Sequence, residues 1–142
     1  MTQSNSPAFS DSALARFIGV PFISHGREPA RGLDCWGLVL AASRELFGRE
    51  LPDYAGYCDA RQVADVAPLF AARADWCERA SGLEKPGDVV VLRIIGHATH
   101  AGLVVRPGVM LHAMLYCNSV LEGYRGLRWA GRLEGFYTWQ PR

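Results

Sequence analysis

Gly32-Leu33-Asp34-Cys35-Trp36-Gly37-Leu38-Val39 is the stretch that decides the fold, because it places a cysteine where a loop becomes a helix. Apolar residues follow Cys35 at helical spacing, namely Leu38, Val39, Ala42 and Leu46. Gly48 is a typical C-terminal stop for this helix. Free backbone N–H groups and the helix dipole at a first turn favour an anion such as a thiolate. The stretch therefore predicts a nucleophilic cysteine, and the alternative is that Cys35 is a small buried core residue.

The composition indicates one compact domain. The chain has 142 residues, 49% hydrophobic and 20% charged, which predicts a single domain over residues 1–142 with a loose tail over residues 1–10. A net charge of +1 gives no electrostatic case for a nucleic-acid partner. We also expect no membrane insertion, since no run of about 18 apolar residues is present. The first residues lack the pattern of a secretory signal, so synthesis in a cytoplasm is expected.

Helices are predicted in the first half of the chain and strands in the second. Helical spacing predicts a short helix that ends at Gly19 and another over 61–79, kinked at Pro68, with Cys77 in the core. After Pro86-Gly87 the pattern becomes apolar and β-branched, as in strands. The predicted strands span 88–95, 99–105, 109–113, 119–124 and 133–139. The fold class is therefore α+β, with N-terminal helices packed on one face of an antiparallel sheet of about five to six strands.

Two histidines, His100 and His112, lie on adjacent predicted strands. If the hairpin pairs Val105 with Val109, Gly102 faces His112, and His100 lies diagonally from His112 on the same face of the sheet. A slip of one residue would separate the rings onto opposite faces. This arrangement therefore requires an odd-length connection or a bulge near the turn of the hairpin.

A cysteine nucleophile needs a base within hydrogen-bond distance and a third group that orients the base. Cys35, His100 and His112 supply these three functions and are the candidate catalytic residues, with no metal and no cofactor expected. A zinc site formed by His97, His100 and His112, with Cys117 as a further ligand, is the alternative that their chemistry leaves open.

Four motifs in this order resemble the NlpC/P60 cell-wall peptidases. They are Asp34-Cys35-Trp36-Gly37-Leu38-Val39, Gly87-Asp88-Val89-Val90, His100-Ala101-Gly102-Leu103-Val104 and Leu111-His112-Ala113. The resemblance runs from Ala13 to Tyr137. It implies a papain-like fold, in which the nucleophilic cysteine at a helix N-terminus packs against an antiparallel sheet that carries the histidines.

Further segments resemble one branch of that family, the small tail-assembly and tail-tip peptidases of long-tailed phages and gene-transfer-agent particles. These segments are Gly19-Val20-Pro21-Phe22, Trp36, Phe47-Gly48, Leu51-Pro52-Asp53-Tyr54, Val120-Leu121-Glu122, Trp129 and Arg132. The branch implies a protein that is made in the host cytoplasm and assembled into the virion tail tip. Other tail-tip and hub proteins would then be its partners, and it would act in the periplasm or cell wall.

The reaction implied by the resemblance is hydrolysis of a peptidoglycan stem peptide, typically between the γ-carboxyl of D-glutamate and diaminopimelate. Cys35 would be the nucleophile, His100 the general base and then acid, and His112 the orienting residue. The backbone N–H of Cys35 would form half of the oxyanion hole. Four further residues are candidates for substrate contact or oxyanion stabilisation: Asp34, Trp36, Phe22 and Tyr54. Phe22 departs from the family, since many members carry tyrosine there.

Two other functions stay open on the sequence. The first is a structural tail-tip subunit that keeps the peptidase fold while its site is blocked or unused. The second is an N-acetylmuramoyl-L-alanine amidase, the activity of the similar CHAP domains, which the order of the motifs does not exclude.

Overall fold

The computed structural model describes residues 9–54 and 75–140, except for the side chain of His97. The helices are α1 (Asp11–Ala15) and α2 (Cys35–Phe47). The strands are β1 (Arg27–Glu28), β2 (Gly32–Leu33), β3 (Trp76–Arg79), β4 (Val89–Ile94), β5 (His97–Arg106), β6 (Val109–Met114), β7 (Cys117–Gly123) and β8 (Leu133–Trp139). Strands β3 to β8 form an antiparallel sheet in the order β3-β8-β4-β5-β6-β7, and β1 pairs with β2. The predicted α+β class is confirmed.

Helix α2 begins at Cys35, as predicted. The carboxylate of Asp34 caps it by accepting the backbone N–H of Gly37, and Gly48 ends it in the left-handed conformation with φ of +63°. Ten of its 13 residues are buried, because the helix packs on β5 and β6 with one side and meets α1 and β1 with others. Because neighbouring elements cover most of α2, this helix forms the centre of the core. No helix in the described parts of the chain is long and apolar enough to cross a membrane.

The large sheet has two buried faces, each with its own apolar cluster. The cluster on the face toward α2, which we call the helix-side core, contains Cys35 together with Ala101, Leu103 and Leu111 from β5 and β6. The cluster on the opposite face, the outer core, contains Val90, Leu92, Val104, Met110, Tyr124, Trp129 and Phe136. Alternation along β5 and β6 thus assigns successive residues to the two cores.

The hairpin of β5 and β6 has the register predicted for Gly102 and His112, but Val109 pairs with Arg106 and not with Val105. Val104 pairs with Met110, and a bulge follows before Arg106 pairs with Val109. Continuation of this register brings Gly102 beside His112, and a Cβ built on Gly102 would lie 3.3 Å from the Cβ of His112. The bulge required by the sequence argument is therefore present, and it lies just before the turn.

The prediction of a helix over 61–79 is wrong at its C-terminal end. Trp76–Arg79 form β3, which pairs with β8 at the edge of the sheet, and Cys77 is exposed instead of lying in the core. Pairing with a distant strand overrides the local helical spacing here. Residues 55–74 lie outside the described part, as do residues 1–8 of the predicted N-terminal tail. Of its last two residues, Phe9 packs against Phe47 and Ser10 caps α1.

Candidate active site

Asp34 anchors the start of α2 to the loop before it. Its Oδ1 atom accepts the Gly37 N–H at 2.7 Å and Nη1 of Arg27 at 2.7 Å, while Oδ2 accepts the backbone N–H of His25 at 3.0 Å. Burial raises the pKa of Asp34, an effect that the negative charge Cys35 carries as a thiolate would increase and that the Gly37 and Arg27 donors oppose. Asp34 is fully buried. Its contacts therefore fix the position of Cys35 at the start of α2.

Two of the other predicted contact residues, Trp36 and Tyr54, pack on each other in the helix-side core. Trp36 is fully buried, stacks on Tyr54 with ring centroids 5.5 Å apart, and donates from Nε1 to the carbonyl of Pro52. The hydroxyl of Tyr54 accepts the indole N–H of Trp76 at 2.7 Å. Phe22 is partly buried against the helix-side core and forms a bridge to Leu33. Trp36 has no exposed surface, so its contribution here is packing.

His100 and His112 meet as their strand positions predicted. Nε2 of His100 lies 2.9 Å from Nδ1 of His112, and both side chains are buried. A Cβ on Gly102 would lie 3.1 Å from Sδ of Met110 and 3.3 Å from Cβ of His112, so a side chain there would crowd the position of His112. The hairpin register therefore produces a direct hydrogen bond between the two imidazoles.

Glu122 extends this pair and was not among the predicted site residues. Its Oε1 atom lies 2.7 Å from Nε2 of His112, and its Oε2 atom accepts from Nη1 of Arg128 at 3.0 Å. Glu122 pairs with Met110 across the β6–β7 ladder, whereas His112 pairs with Val120, so Glu122 lies diagonally from His112. The same diagonal relationship that joins the two histidines across β5 and β6 also joins His112 to Glu122 across β6 and β7, so the sequence contains a signal for this carboxylate.

The surroundings of His112 and Glu122 determine which of the two carries a charge. Burial, with the positive charge that His100 can carry, lowers the pKa of His112 to about 4, although Glu122 acts in the opposite direction. Burial alone would raise the pKa of Glu122, but Trp129, His112 and Arg128 outweigh it and leave that pKa below its usual value. At neutral pH, Glu122 is therefore a carboxylate and His112 a neutral ring.

These charges assign one tautomer to each histidine. An ionised Glu122 is only an acceptor, so the proton of neutral His112 lies on Nε2, and Nδ1 of His112 is left as an acceptor. His100 must then donate its Nε2–H to that atom. The nitrogen of His100 that remains available for proton transfer is Nδ1.

Trp129 covers the histidine pair from the outer core. Its ring stacks on His100 with centroids 6.0 Å apart and meets His112 edge to face at 5.7 Å. It is almost completely buried, and Nε1 lies close to Glu122 without a regular hydrogen bond. Trp129 thereby excludes water from the pair, which strengthens the hydrogen bonds between the rings.

The structure thus brings His100 and His112 together and adds Glu122, Arg128 and Trp129. Cys35 begins the helix that packs on β5 and β6, and it belongs to the helix-side core with Ala101, the neighbour of His100. The pairing of Cys35 with His100 stays a prediction. Among the described residues, no three His, Cys, Asp or Glu side chains are placed to hold a metal ion.

Comparison with known proteins places this geometry in a family. The model of the NlpC/P60 family matches residues 19–134. A search of curated proteins gave no match. Among solved structures, an NLP/P60 protein from Staphylococcus aureus subsp. aureus Mu50, described as similar to lipoprotein, is 18% identical with a TM-score of 0.63, covering 99% of this chain and 46% of its own.

Two further structures share the fold. An NlpC/P60 protein from Bacillus cereus ATCC 10987 is 17% identical, with a TM-score of 0.62 over 88% of this chain and 37% of its own. The NlpC/p60 domain of the peptidoglycan hydrolase SagA is 18% identical, with a TM-score of 0.57 over 89% of this chain and 92% of the domain. The present chain spans less than half of the first two proteins. With its family model matched over most of its length, this chain belongs to the NlpC/P60 family.

Proposed function

We propose that this protein is a cysteine hydrolase that cleaves the stem peptide of peptidoglycan. The observation that carries the proposal is the hydrogen-bonded chain from His100 through His112 to Glu122, whose two histidines lie on strands that pack on the helix beginning with Cys35. This chain fixes one tautomer of His100 and leaves its Nδ1 atom for proton transfer. Membership of the family supplies the substrate class, since NlpC/P60 proteins are generally cysteine peptidases and peptidoglycan hydrolases.

In the proposed mechanism, Nδ1 of His100 takes the thiol proton of Cys35, and the thiolate attacks the carbonyl carbon of the scissile amide. The resulting oxyanion is stabilised by the backbone N–H of Cys35, which has no intrahelical acceptor at the first position of α2. His100 then gives its proton to the leaving amine, and a thioester forms. Water, deprotonated by His100, hydrolyses the thioester and releases the carboxylate product.

His112 and Glu122 act through His100. When His100 is an imidazolium, its Nε2–H still donates to the neutral Nδ1 of His112, so the hydrogen bond persists through the cycle. The lowered pKa of His112 keeps that acceptor neutral. A second proton on this ring would place two cations in contact and break the chain.

We further propose that the bond cleaved is the one from the γ-carboxyl of D-glutamate to diaminopimelate. The sequence motifs also support a role in a phage tail tip, where the protein would contact other tail-tip or hub proteins. It would be made in the host cytoplasm and act on the cell wall after assembly. Mass spectrometry of purified particles tests this location, and absence from particles made in producing cells would exclude it.

The decisive experiment is digestion of purified peptidoglycan and of defined muropeptides, with products identified by mass spectrometry. Fragments ending in γ-D-glutamate are expected from the wild type and not from Cys35→Ala. Cys77→Ala is the matched control, because Cys77 is an exposed thiol on β3. Products cleaved between the sugar lactyl group and alanine would indicate an amidase. No cleavage by a folded, reduced protein would overturn the proposal in favour of a structural subunit.

A further inference from the structure

A cavity of about 420 Å³ opens at the end of the sheet where β4 turns into β5. Its lining contains three arginines, apolar surface and no acidic residue. The lining residues are Arg93, Ile94, Ile95, Gly96, Met114, Arg128, Trp129, Gly131 and Arg132. A cavity with this lining attracts anions, and guanidinium groups bind carboxylates with matching geometry.

Two of the three arginines are already neutralised by carboxylates. Arg93 pairs with Glu134 and also donates to the carbonyl of Gly131, while Arg128 pairs with Glu122. Arg132 is exposed, and no carboxylate pairs with it among residues 9–54 and 75–140. The cavity therefore carries one positive charge that is not balanced within the described structure.

Trp129 connects this cavity to the candidate active site. The residue lines the cavity, and its ring stacks on His100. The guanidinium of Arg128 lies over the same ring, with Cζ 5.3 Å from the centroid. Trp129 is thus shared between the lining of the cavity and the contact with the proposed base. A ligand group in the cavity would therefore contact a residue that packs directly on the proposed base.

We infer that this cavity is a specificity subsite that binds a free carboxylate of the peptide substrate, with Arg132 as its binding cation. The inference rests on the proposed function. A γ-linked D-glutamate retains its α-carboxylate, and diaminopimelate retains carboxylates on the other side of the scissile bond. All of these carboxylates carry the chemistry that the cavity selects, and amidation of a carboxylate removes its charge. The enzyme should therefore discriminate between free and amidated stem peptides.

The test compares three tripeptides: L-Ala-γ-D-Glu-diaminopimelate, the same peptide amidated on the glutamate carboxylate, and the same peptide amidated on both diaminopimelate carboxylates. Each is assayed with the wild type, Arg132→Gln, Arg132→Lys and Arg106→Gln. Arg106 is an exposed arginine at the opposite end of β5 and serves as the matched control. Binding to Cys35→Ala by calorimetry provides a second readout, independent of turnover.

For the wild type, KM should rise about tenfold for one of the two amidated peptides, and that peptide identifies whether the cavity binds glutamate or diaminopimelate. Arg132→Gln should raise KM for the free peptide by a similar factor without changing kcat, remove the preference, and weaken calorimetric binding equally. Arg132→Lys should recover part of the loss, and Arg106→Gln should match the wild type. Cleavage of all three peptides with equal KM would overturn this subsite and leave the proposed function intact. Cleavage of none would refute the proposed function itself.

Discussion

His112 lies between two hydrogen-bond partners and uses each nitrogen once, with Nε2 2.7 Å from Oε1 of Glu122. Because Glu122 is an acceptor, His112 must be a donor at this contact, and its other nitrogen must accept from His100. The ring cannot take a second proton without breaking one of the two hydrogen bonds. This requirement makes the pair sensitive to pH.

The first prediction concerns stability below neutral pH. The folded pKa of His112 is about 4, below its ordinary value of 6.5, so the unfolded chain takes up the proton first as the pH falls. His112 therefore reduces the free energy of unfolding as pH falls from about 6.5 to 4, by on the order of 3 kcal/mol, and has no such effect above pH 6.5. Urea unfolding at pH 7, 5.5 and 4.5 measures this slope.

His112→Asn should flatten that slope, because asparagine does not titrate in this range. His25→Asn is the control, since His25 is an exposed loop residue with φ of +62°, a conformation that asparagine tolerates. An unchanged slope in His112→Asn would show that other groups cause the acid sensitivity.

Local signals in the sequence were sufficient for α2 and for the histidine hairpin. A capping residue, a helical apolar pattern and a terminal glycine determine α2, and the two-residue period of strands determines which histidines share a face. Strand β3 could not be predicted in this way, because its pairing with β8 joins segments about 60 residues apart and its own pattern is ambiguous. Glu122 was missed although the same diagonal relationship, applied to the hairpin of β6 and β7, places it beside His112.

The second prediction concerns Gly37 in the first turn of α2. Alanine usually stabilises a helix relative to glycine, by about 1 kcal/mol. At this position, a Cβ would lie 2.0 Å from the carbonyl oxygen of Gly26, a backbone atom that cannot move aside cheaply. Gly37→Ala should therefore destabilise the protein by about 2–3 kcal/mol in chemical denaturation.

Gly48→Ala is the comparison for this substitution. Gly48 has open space around its Cα but a φ of +63°, so alanine there should cost about 1 kcal/mol through backbone strain alone. A higher free energy of unfolding for Gly37→Ala than for Gly48→Ala would contradict the close contact between α2 and Gly26.

The third prediction concerns Trp129, which packs on both histidines. Trp129→Ala should cost about 3–5 kcal/mol of stability because it leaves a large cavity in the outer core. Trp129→Phe should cost less than half as much, since it keeps an aromatic cover and removes a buried indole N–H that makes no regular hydrogen bond. Equal losses for the two variants in urea unfolding would contradict a covering role for the ring.

The last prediction isolates the contribution of the Glu122 carboxylate from that of the two histidines to which it is linked. Under the proposed function, Glu122 is a positioning residue that holds the proton of His112 on Nε2. Glu122→Leu removes the acceptor, so His112 should populate both neutral tautomers and fail to accept from His100 in one of them. We expect kcat to fall about 100-fold, with KM changed less than about twofold, while Glu122→Gln keeps an acceptor oxygen and loses about tenfold.

Two measurements distinguish this positioning role from a loss of folding. The ¹⁵N shifts of His112 should indicate the Nε2–H form alone in the wild type and a mixture in Glu122→Leu, at a pH where both proteins are folded. Glu50→Gln provides the matched change, since it removes a surface carboxylate that pairs only with Arg44 among the described residues. Full kcat in Glu122→Leu would exclude a role for this carboxylate. If kcat fell while the tautomer of His112 stayed the same, the position of its proton would not depend on Glu122. The carboxylate would then act through its negative charge and not by orienting His112.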